Sequence, residues 1–303
     1  MTGEPVSPGF RCGYIALVGR PNVGKSTLLN RLLGQKISIT SKRPQTTRHR
    51  IIGIKTGDSS QQVYVDTPGL HHYNGRAMNR HMNRAATQAL VGVDVVVFLV
   101  EGLRWTADDD LVLEKLEQVD CPVVLAVNKV DLIADKESLL PGLQELSGKY
   151  AFAQIIPVSA SKGDNVAELE ACVEALLPES PPYYPEEQVT DRSERFLVAE
   201  RVREKLFRNL GKELPYGLTV EVEQFRRERR IIHIHALIWV ERQSQKNIVV
   251  GRQGQVLKTV GRQARLEIEE LLGSKVNLKL WVKVKEGWAD DERALQSLGY
   301  TDE

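Results

Sequence analysis

Gly19-Arg20-Pro21-Asn22-Val23-Gly24-Lys25-Ser26 reads Gly-x-x-x-x-Gly-Lys-Ser directly after an apolar run and directly before a helical pattern. That is a P-loop, which belongs between a strand and a helix. Tyr14-Ile15-Ala16-Leu17-Val18 is short, continuous and β-prone, as a strand buried on both faces should be, and residues 27–33 carry leucines at helical spacing. In such a loop the backbone N–H groups close around phosphate oxygens and the helix N-terminus favours their charge. Lys25 brings a cation to the β- and γ-phosphates, and the Ser26 hydroxyl ligates Mg²⁺. The expected phosphate site therefore runs from Gly19 through Thr27.

Three further strand ends carry residues that fit a nucleotide. The polar segment 35–50 holds Pro44 and the pair Thr46-Thr47. In a nucleoside triphosphatase one of these threonines completes the Mg²⁺ shell when the γ-phosphate is present, and Thr47 is expected rather than Thr46. Residues 61–65 lead into Asp66-Thr67-Pro68-Gly69, where the carboxylate can hold a Mg²⁺-bound water and the Gly69 N–H can reach the γ-phosphate. Asp-Thr-Pro-Gly is also an ordinary turn; its place beyond a P-loop gives it meaning. Residues 94–100 and 122–127 are two more buried-strand runs, and the second ends in Asn128-Lys129-Val130-Asp131. The Asp131 carboxylate accepts from N1–H and the 2-amino group of guanine, donors that adenine lacks there. Each such buried partner lost costs roughly 1–3 kcal/mol, so the tetrad selects GTP or GDP. After the next strand, 155–158, Ser159-Ala160 is expected to bring a backbone N–H to guanine O6.

Alternating strands and helices, with each of these residues at a carboxyl end of a strand, describe an α/β fold: a mixed, mostly parallel sheet with helices on both faces. The turn at 57–60 implies one antiparallel hairpin. This P-loop GTPase domain is expected over 13–178, after a flexible lead-in at 1–12.

At 303 residues the chain has room for a second domain. Its longest apolar stretch, 91–100, is broken by Gly92 and Asp94 and is too short to cross a bilayer, and no leader pattern precedes it, so an intracellular protein is expected. Cys12, Cys121 and Cys172 lie far apart, which suggests neither a disulfide framework nor a zinc site. The net charge of +1 conceals a division: −3 over 1–189, +9 over 190–285 and −5 over 286–303. Pro178, Pro181, Pro182 and Pro185 make 179–190 a fairly stiff linker. Beyond it come an amphipathic helix at 192–210, strands at 218–225 and 231–240 joined through the basic stretch 226–230, a helix at 255–272 and a strand at 276–284.

Gly251-Arg252-Gln253-Gly254 stands at a helix–helix junction in that series. The order and the Gly-x-x-Gly loop are those of a KH domain of type 2, an α+β fold expected over 191–286 with an acidic tail at 287–303. Its glycines let a single-stranded nucleic-acid backbone approach, and Lys246, Arg252, Lys258 and Arg262 supply charge, with Ile248 and Gln253 on the same element. A Gly-x-x-Gly is common as a simple helix junction; the +9 charge of the segment favours the nucleic-acid reading. The stretch 226–230 is either a solvated turn or a further RNA contact.

Over residues 13–301 the chain resembles the bacterial Era GTPases, which join a Ras-like GTPase domain to a KH domain. Besides the nucleotide motifs, the resemblance rests on Gln45-Thr46-Thr47-Arg48-His49-Arg50, Glu101-Gly102 with Arg104-Trp105-Thr106, Asp191-Arg192-Ser193, Glu213-Leu214-Pro215-Tyr216 and the stretch 281–293 that begins Trp281-Val282-Lys283. It implies GTP hydrolysis, binding of the 3′ end of 16S ribosomal RNA, and a part in 30S subunit assembly. It also implies a cytoplasmic monomer, with a peripheral fraction at the inner membrane and no DNA partner. Leu70 follows Gly69 where a Ras-like enzyme carries a water-orienting glutamine, so the chemistry is expected to rest on Lys25, Thr47, Mg²⁺ and the backbone cradle. Related GTPases with a hydrophobic residue there hold K⁺ through a P-loop asparagine, which gives Asn22 that expected role. His71 and His72 are expected bystanders. The KH loop departs from the family in lacking its more common lysine and extra glycine, which keeps the charge in a stiffer loop. A second class of function stays open, a membrane-associated signalling GTPase whose basic domain binds lipid or protein.

Overall fold

The computed structural model describes residues 9–300 except 42, 44–45, 71–76, 136, 212–216 and 299. Its first unit comprises residues 1–38, 47–73 and 82–191. The unbroken apolar runs become strands covered on both faces. β1 (Arg11–Val18) lies between β3 (Ser60–Asp66) and β4 (Val95–Glu101), and β5 (Val123–Asn128) and β6 (Gln154–Pro157) continue the parallel sheet. β2 (Ile51–Thr56) pairs antiparallel with β3, which closes the order β2-β3-β1-β4-β5-β6. Because the connection after β1 leads to the β2 side of the sheet and the one after β3 leads to the β4 side, a crevice opens at the carboxyl ends of β1 and β3.

Alternate residues sort to the two faces. Ala16, Val18, Val96, Phe98 and Val100 pack with Ala86 of α2 (Ala77–Gln88), Val112 of α3 (Ala107–Leu116) and Leu146 of α4 (Leu139–Ser147). Ile15, Leu17, Val97 and Leu99, all buried, take the other face, the side of α1 (Lys25–Leu32) and α5 (Val166–Leu176). Each such side chain contributes about 1.5–3 kcal/mol of burial.

β1 starts at Arg11, three residues before the apolar run, because Arg11 and Cys12 register against Ser60 and Gln61. The proline-rich segment is strapped to the same sheet. The Cys12 N–H donates to Pro178 O (3.1 Å), Ser180 to Phe10 O (3.0 Å) and Ile54 to Val189 O (2.8 Å). Gln61 Oε1 accepts from the N–H groups of Tyr183 and Tyr184. Buried backbone donors need partners, and a segment poor in N–H groups finds them one by one.

The second unit comprises residues 39–46, 74–81 and 192–303. α6 (Glu194–Asn209) is followed by β7 (Leu218–Glu228), β8 (Ile231–Val240), α7 (Gln243–Val250), α8 (Gln255–Leu272) and β9 (Lys275–Val284). β8 is central, antiparallel to β7 and parallel to β9. Val198, Val202 and Leu206 of α6 and Val260, Ala264 and Ile268 of α8 build the core with Ile232, Ile234, Ile238 and Val282.

Three details depart from the sequence reading. β7 runs through Glu228, so Arg226 and Arg227 pair with His233 and Ile232 and the turn shrinks to Arg229-Arg230, Arg229 having φ 48°. The acidic tail is partly folded: Trp288 and Tyr300 are buried and stacked at 6.2 Å, and α9 (Glu292–Ser297) is capped by Asp291. They pack on residues 77–81, where the Met78 N–H donates to Ala289 O. Finally, α6 buries a charged side as well as its apolar one: Glu200, Arg201, Arg203, Glu204 and Lys205 are all buried. Arg203 clasps Glu200 at 2.6 Å and donates to Thr46 O at 2.7 Å, while Glu204 accepts from Thr40 N–H at 3.1 Å. No described helix is long and apolar enough to cross a membrane.

Candidate nucleotide site and nucleic-acid groove

Between β1 and α1 the loop turns through left-handed conformations at Asn22 (φ 68°) and Gly24 (φ 107°), the latter opening the helix. Gly24 admits no side chain, since a Cβ would lie 2.2 Å from Asn128 Nδ2. Gly69 is as tightly placed, with Pro21 N 2.5 Å from where its Cβ would be. These approaches bring three separate stretches of sequence around one cradle. Thr67 holds the Asp-Thr-Pro-Gly turn in place by donating its hydroxyl to Leu17 O at 3.0 Å.

Lys25 lies buried, its ammonium donating to the loop carbonyls Gly19 O (2.9 Å) and Arg20 O (3.0 Å). Burial pulls its pKa down to about 8, against the pull of Asp66. Ser26 Oγ stands 2.7 Å from Thr47 Oγ1 and donates to Asp66 Oδ2 at 2.7 Å. Ser38 Oγ donates to the same oxygen at 2.9 Å, a contact for which the sequence carried no signal. Asp66 is wholly buried, which raises its carboxyl above the ordinary range, and its Oδ1 has no hydrogen-bond partner among the described residues. Two hydroxyls and an orphaned buried carboxylate oxygen are a hard-donor set that fits Mg²⁺. Thr46 faces elsewhere, donating its hydroxyl to Arg43 O.

At the base end, Asn128 ties the motifs together: its Nδ2 donates to Val23 O (2.7 Å) and its Oδ1 accepts from Ala160 N–H (2.9 Å). The Ala160 N–H, in the Ser159-Ala160 pair from which a backbone N–H to guanine O6 is expected, is thus engaged within the protein by the buried amide. Ser159 does more than expected, donating its hydroxyl to Asp131 Oδ1 at 2.6 Å and so aiming that carboxylate. Lys129, at φ 65°, sets its ammonium 3.0 Å from Glu101, and Val130 begins a short 3-10 turn. Glu101 and the buried Asp109 both take the P-loop's Arg20, at 3.3 and 3.1 Å. Asp109 also accepts from the N–H and hydroxyl of Thr106, which gives a physical reason for the Glu101 and Thr106 stretch. Leu70 is 3% exposed and packs in the core with Ala16 and Val18, so no side chain at that position reaches toward phosphate. Pro68 lies in the same turn; His71 and His72 lie outside the described residues.

In the second unit, Gly251 (φ 73°), Gln253 (φ 52°) and Gly254 (φ 75°) turn the chain from α7 into α8. A Cβ on Gly251 would meet Val256 Cγ2 at 2.4 Å. Arg252, Gln253, Lys258, Arg262 and Ile248 are exposed around this turn, and Lys246 is half-buried. None of Lys246, Arg252, Lys258 and Arg262 makes an ion pair among the described residues. Cations without local partners beside a backbone that no side chain shields are suited to phosphates.

Comparison with known proteins finds a family for each unit. A family described as 50S ribosome-binding GTPases matches residues 14–129, and the KH domain family matches 213–289. A GTPase Era of Marinobacter nauticus is 58% identical over 299 residues, covering 99% of this chain and 98% of its own. That of Ectopseudomonas mendocina is 58% identical over 302 residues, covering all of both chains. Among solved structures, an Aquifex aeolicus Era variant bound to GDP·AlF4⁻ superposes with a TM-score of 0.94 at 36% identity, covering 96% of this chain and 100% of its own. An Era in complex with MgGDPNP and nucleotides 1506–1542 of 16S ribosomal RNA gives a TM-score of 0.93, also at 36% identity, covering 96% and 99%. With matches of this identity along its whole length, the chain belongs to the Era family of GTPases.

Proposed function

We propose that this GTPase is a nucleotide-driven switch that binds the 3′ end of 16S ribosomal RNA through its KH unit and acts in maturation of the 30S subunit. The observation that carries the reading is the left-handed Gly251–Gly254 turn with four cations around it that make no ion pair among the described residues. It is supported by the relative solved with nucleotides 1506–1542 of that RNA.

At the nucleotide site, Lys25 binds the β- and γ-phosphates in place of the Gly19 and Arg20 carbonyls it now contacts. Ser26, Thr47 and Asp66 hold Mg²⁺, and Asp131, aimed by Ser159, reads guanine. When bound, the metal neutralises charge on the transferred phosphoryl group. Hydrolysis then depends on the backbone N–H groups of 19–26 and 69, Leu70 being buried in the core. Asn22, at φ 68° in the loop, would contribute to a K⁺ site. Turnover that is equal in sodium and potassium salts refutes that role.

Filter binding of a labelled 16S 3′-end oligonucleotide tests the RNA reading. The double variant Gly251→Asp, Gly254→Asp is expected to lose binding, and retained binding overturns it. Binding of anionic vesicles that is lost in the same variant instead favours a membrane role. Asp131→Asn is expected to shift nucleotide preference from GTP toward xanthosine triphosphate.

A further inference from the structure

We infer that the exposed β9 side of the second sheet, on the face away from its helices, is a stacking platform for single-stranded RNA, separate from the Gly251–Gly254 turn. Val276, Leu278, Leu280, Val282 and Val284 of β9 pack with the core residues of the helices. The alternate residues Lys275, Asn277, Lys279, Trp281 and Lys283 therefore stand on the opposite face. Trp281 is 42% exposed there. Its ring meets His235 edge-on at 5.0 Å, and register sets Lys279 beside His235 and Lys283 beside Trp239. Trp239 is fixed by donating its Nε1–H to Glu221 at 2.9 Å, with the Lys283 ammonium 5.7 Å from its ring centre.

An exposed indole needs a reason, and its neighbours indicate one. An apolar protein contact would need apolar surroundings, but the one aliphatic residue between the two indoles in register, Leu237, is already 2% exposed. What surrounds Trp281 is charge. β9 contains no acidic residue, its lysines recur on the open face two residues from the indole on each side, and Lys279 makes no ion pair among the described residues, while Lys283 pairs with Glu223 at 3.6 Å. Residues two apart on a strand are about 7 Å apart, so cations flank the ring along the strand. A flat ring between cations binds a base by its face and the adjoining phosphates by charge, without regard to sequence. The carboxylates of this face lie on β7, at Glu221, Glu223 and Glu228, so the bound strand would follow β9.

The test measures binding of a labelled single-stranded RNA of about 30 nucleotides to the full chain. Trp281→Ala is expected to weaken it about tenfold, both alone and with Gly251→Asp and Gly254→Asp present, and Trp281→Phe is expected to restore it. RNA should also quench tryptophan emission in the protein with the disabled turn, and less so once Trp281 is Phe. Unchanged affinity in Trp281→Ala, or loss of binding to purified small subunits but not to free RNA, overturns the inference. If instead the Gly251 and Gly254 changes leave RNA affinity intact while Trp281→Ala lowers it, the turn fails as a binding site and the platform stands.

Discussion

At Lys25 two demands conflict: the ammonium must be buried to meet phosphate, and burial disfavours its charge. Its pKa of about 8 in the nucleotide-free protein expresses that conflict. Phosphate binds the protonated form, so nucleotide affinity is expected to fall as pH rises through about 8, with a proton taken up on binding. Titration with a fluorescent GDP analogue at a series of pH values checks this, Lys25→Met being weak and flat across them. The same group makes folding stability rise with pH between about 8 and 10.5, where the unfolded chain still holds a proton that the folded one has lost. At the base end, Ser159→Ala removes the 2.6 Å donor to Asp131. A charge-assisted hydrogen bond of about 1.5–3 kcal/mol is lost, so GTP affinity should fall roughly tenfold to a hundredfold while affinity for xanthosine nucleotides does not rise.

At the scale of the element, α6 is unusual in burying both sides. Its apolar side follows from helical spacing, but the charged side is covered because residues 39–46 return to it with a carbonyl for Arg203 and an N–H for Glu204. Arg203→Ala would leave Glu200 buried without its partner and the Thr46 carbonyl unsatisfied. The expected loss is about 3–5 kcal/mol by urea unfolding, well above that of a surface charge, and a loss under 1 kcal/mol would contradict the buried pairing. α9 with residues 287–291 makes a comparable point: Trp288→Ala should cost about 3–5 kcal/mol, since the ring is wholly buried against Tyr300.

For the whole molecule, the near-neutral net charge separates into a slightly acidic GTPase half and a KH half with 21 basic and 12 acidic residues over 190–285. Four cations meeting single-stranded phosphates give a plot of log affinity against log salt with slope near −3, and replacing Lys258 by Gln should flatten it by about 0.7. Equilibrium binding of the RNA across a salt series measures both. A slope near zero would mean that these cations do not meet the backbone.

Much of the nucleotide site could be read before any fold was known, because each of its motifs is a contiguous stretch whose backbone must turn in one way. Gly19–Ser26, Asp66–Gly69 and Asn128–Asp131 need little beyond local geometry, and the +9 segment with Gly251 and Gly254 needed only element order. What local pattern could not supply was contact between distant residues. Ser38 on Asp66, Arg20 on Glu101 and Asp109, and Ser159 on Asp131 join positions from 28 to 89 residues apart. The stretch 287–300 read only as an acidic tail because its acidic residues outnumber its basic ones, yet Trp288 and Tyr300 are buried once residues 77–81 are there to pack on. The sequence determined which backbone turns form at 19–26, 66–69 and 128–131, since conformational preference is local; tertiary structure decided which charges are buried and which indole stays exposed, since burial is a property of what the rest of the chain brings near.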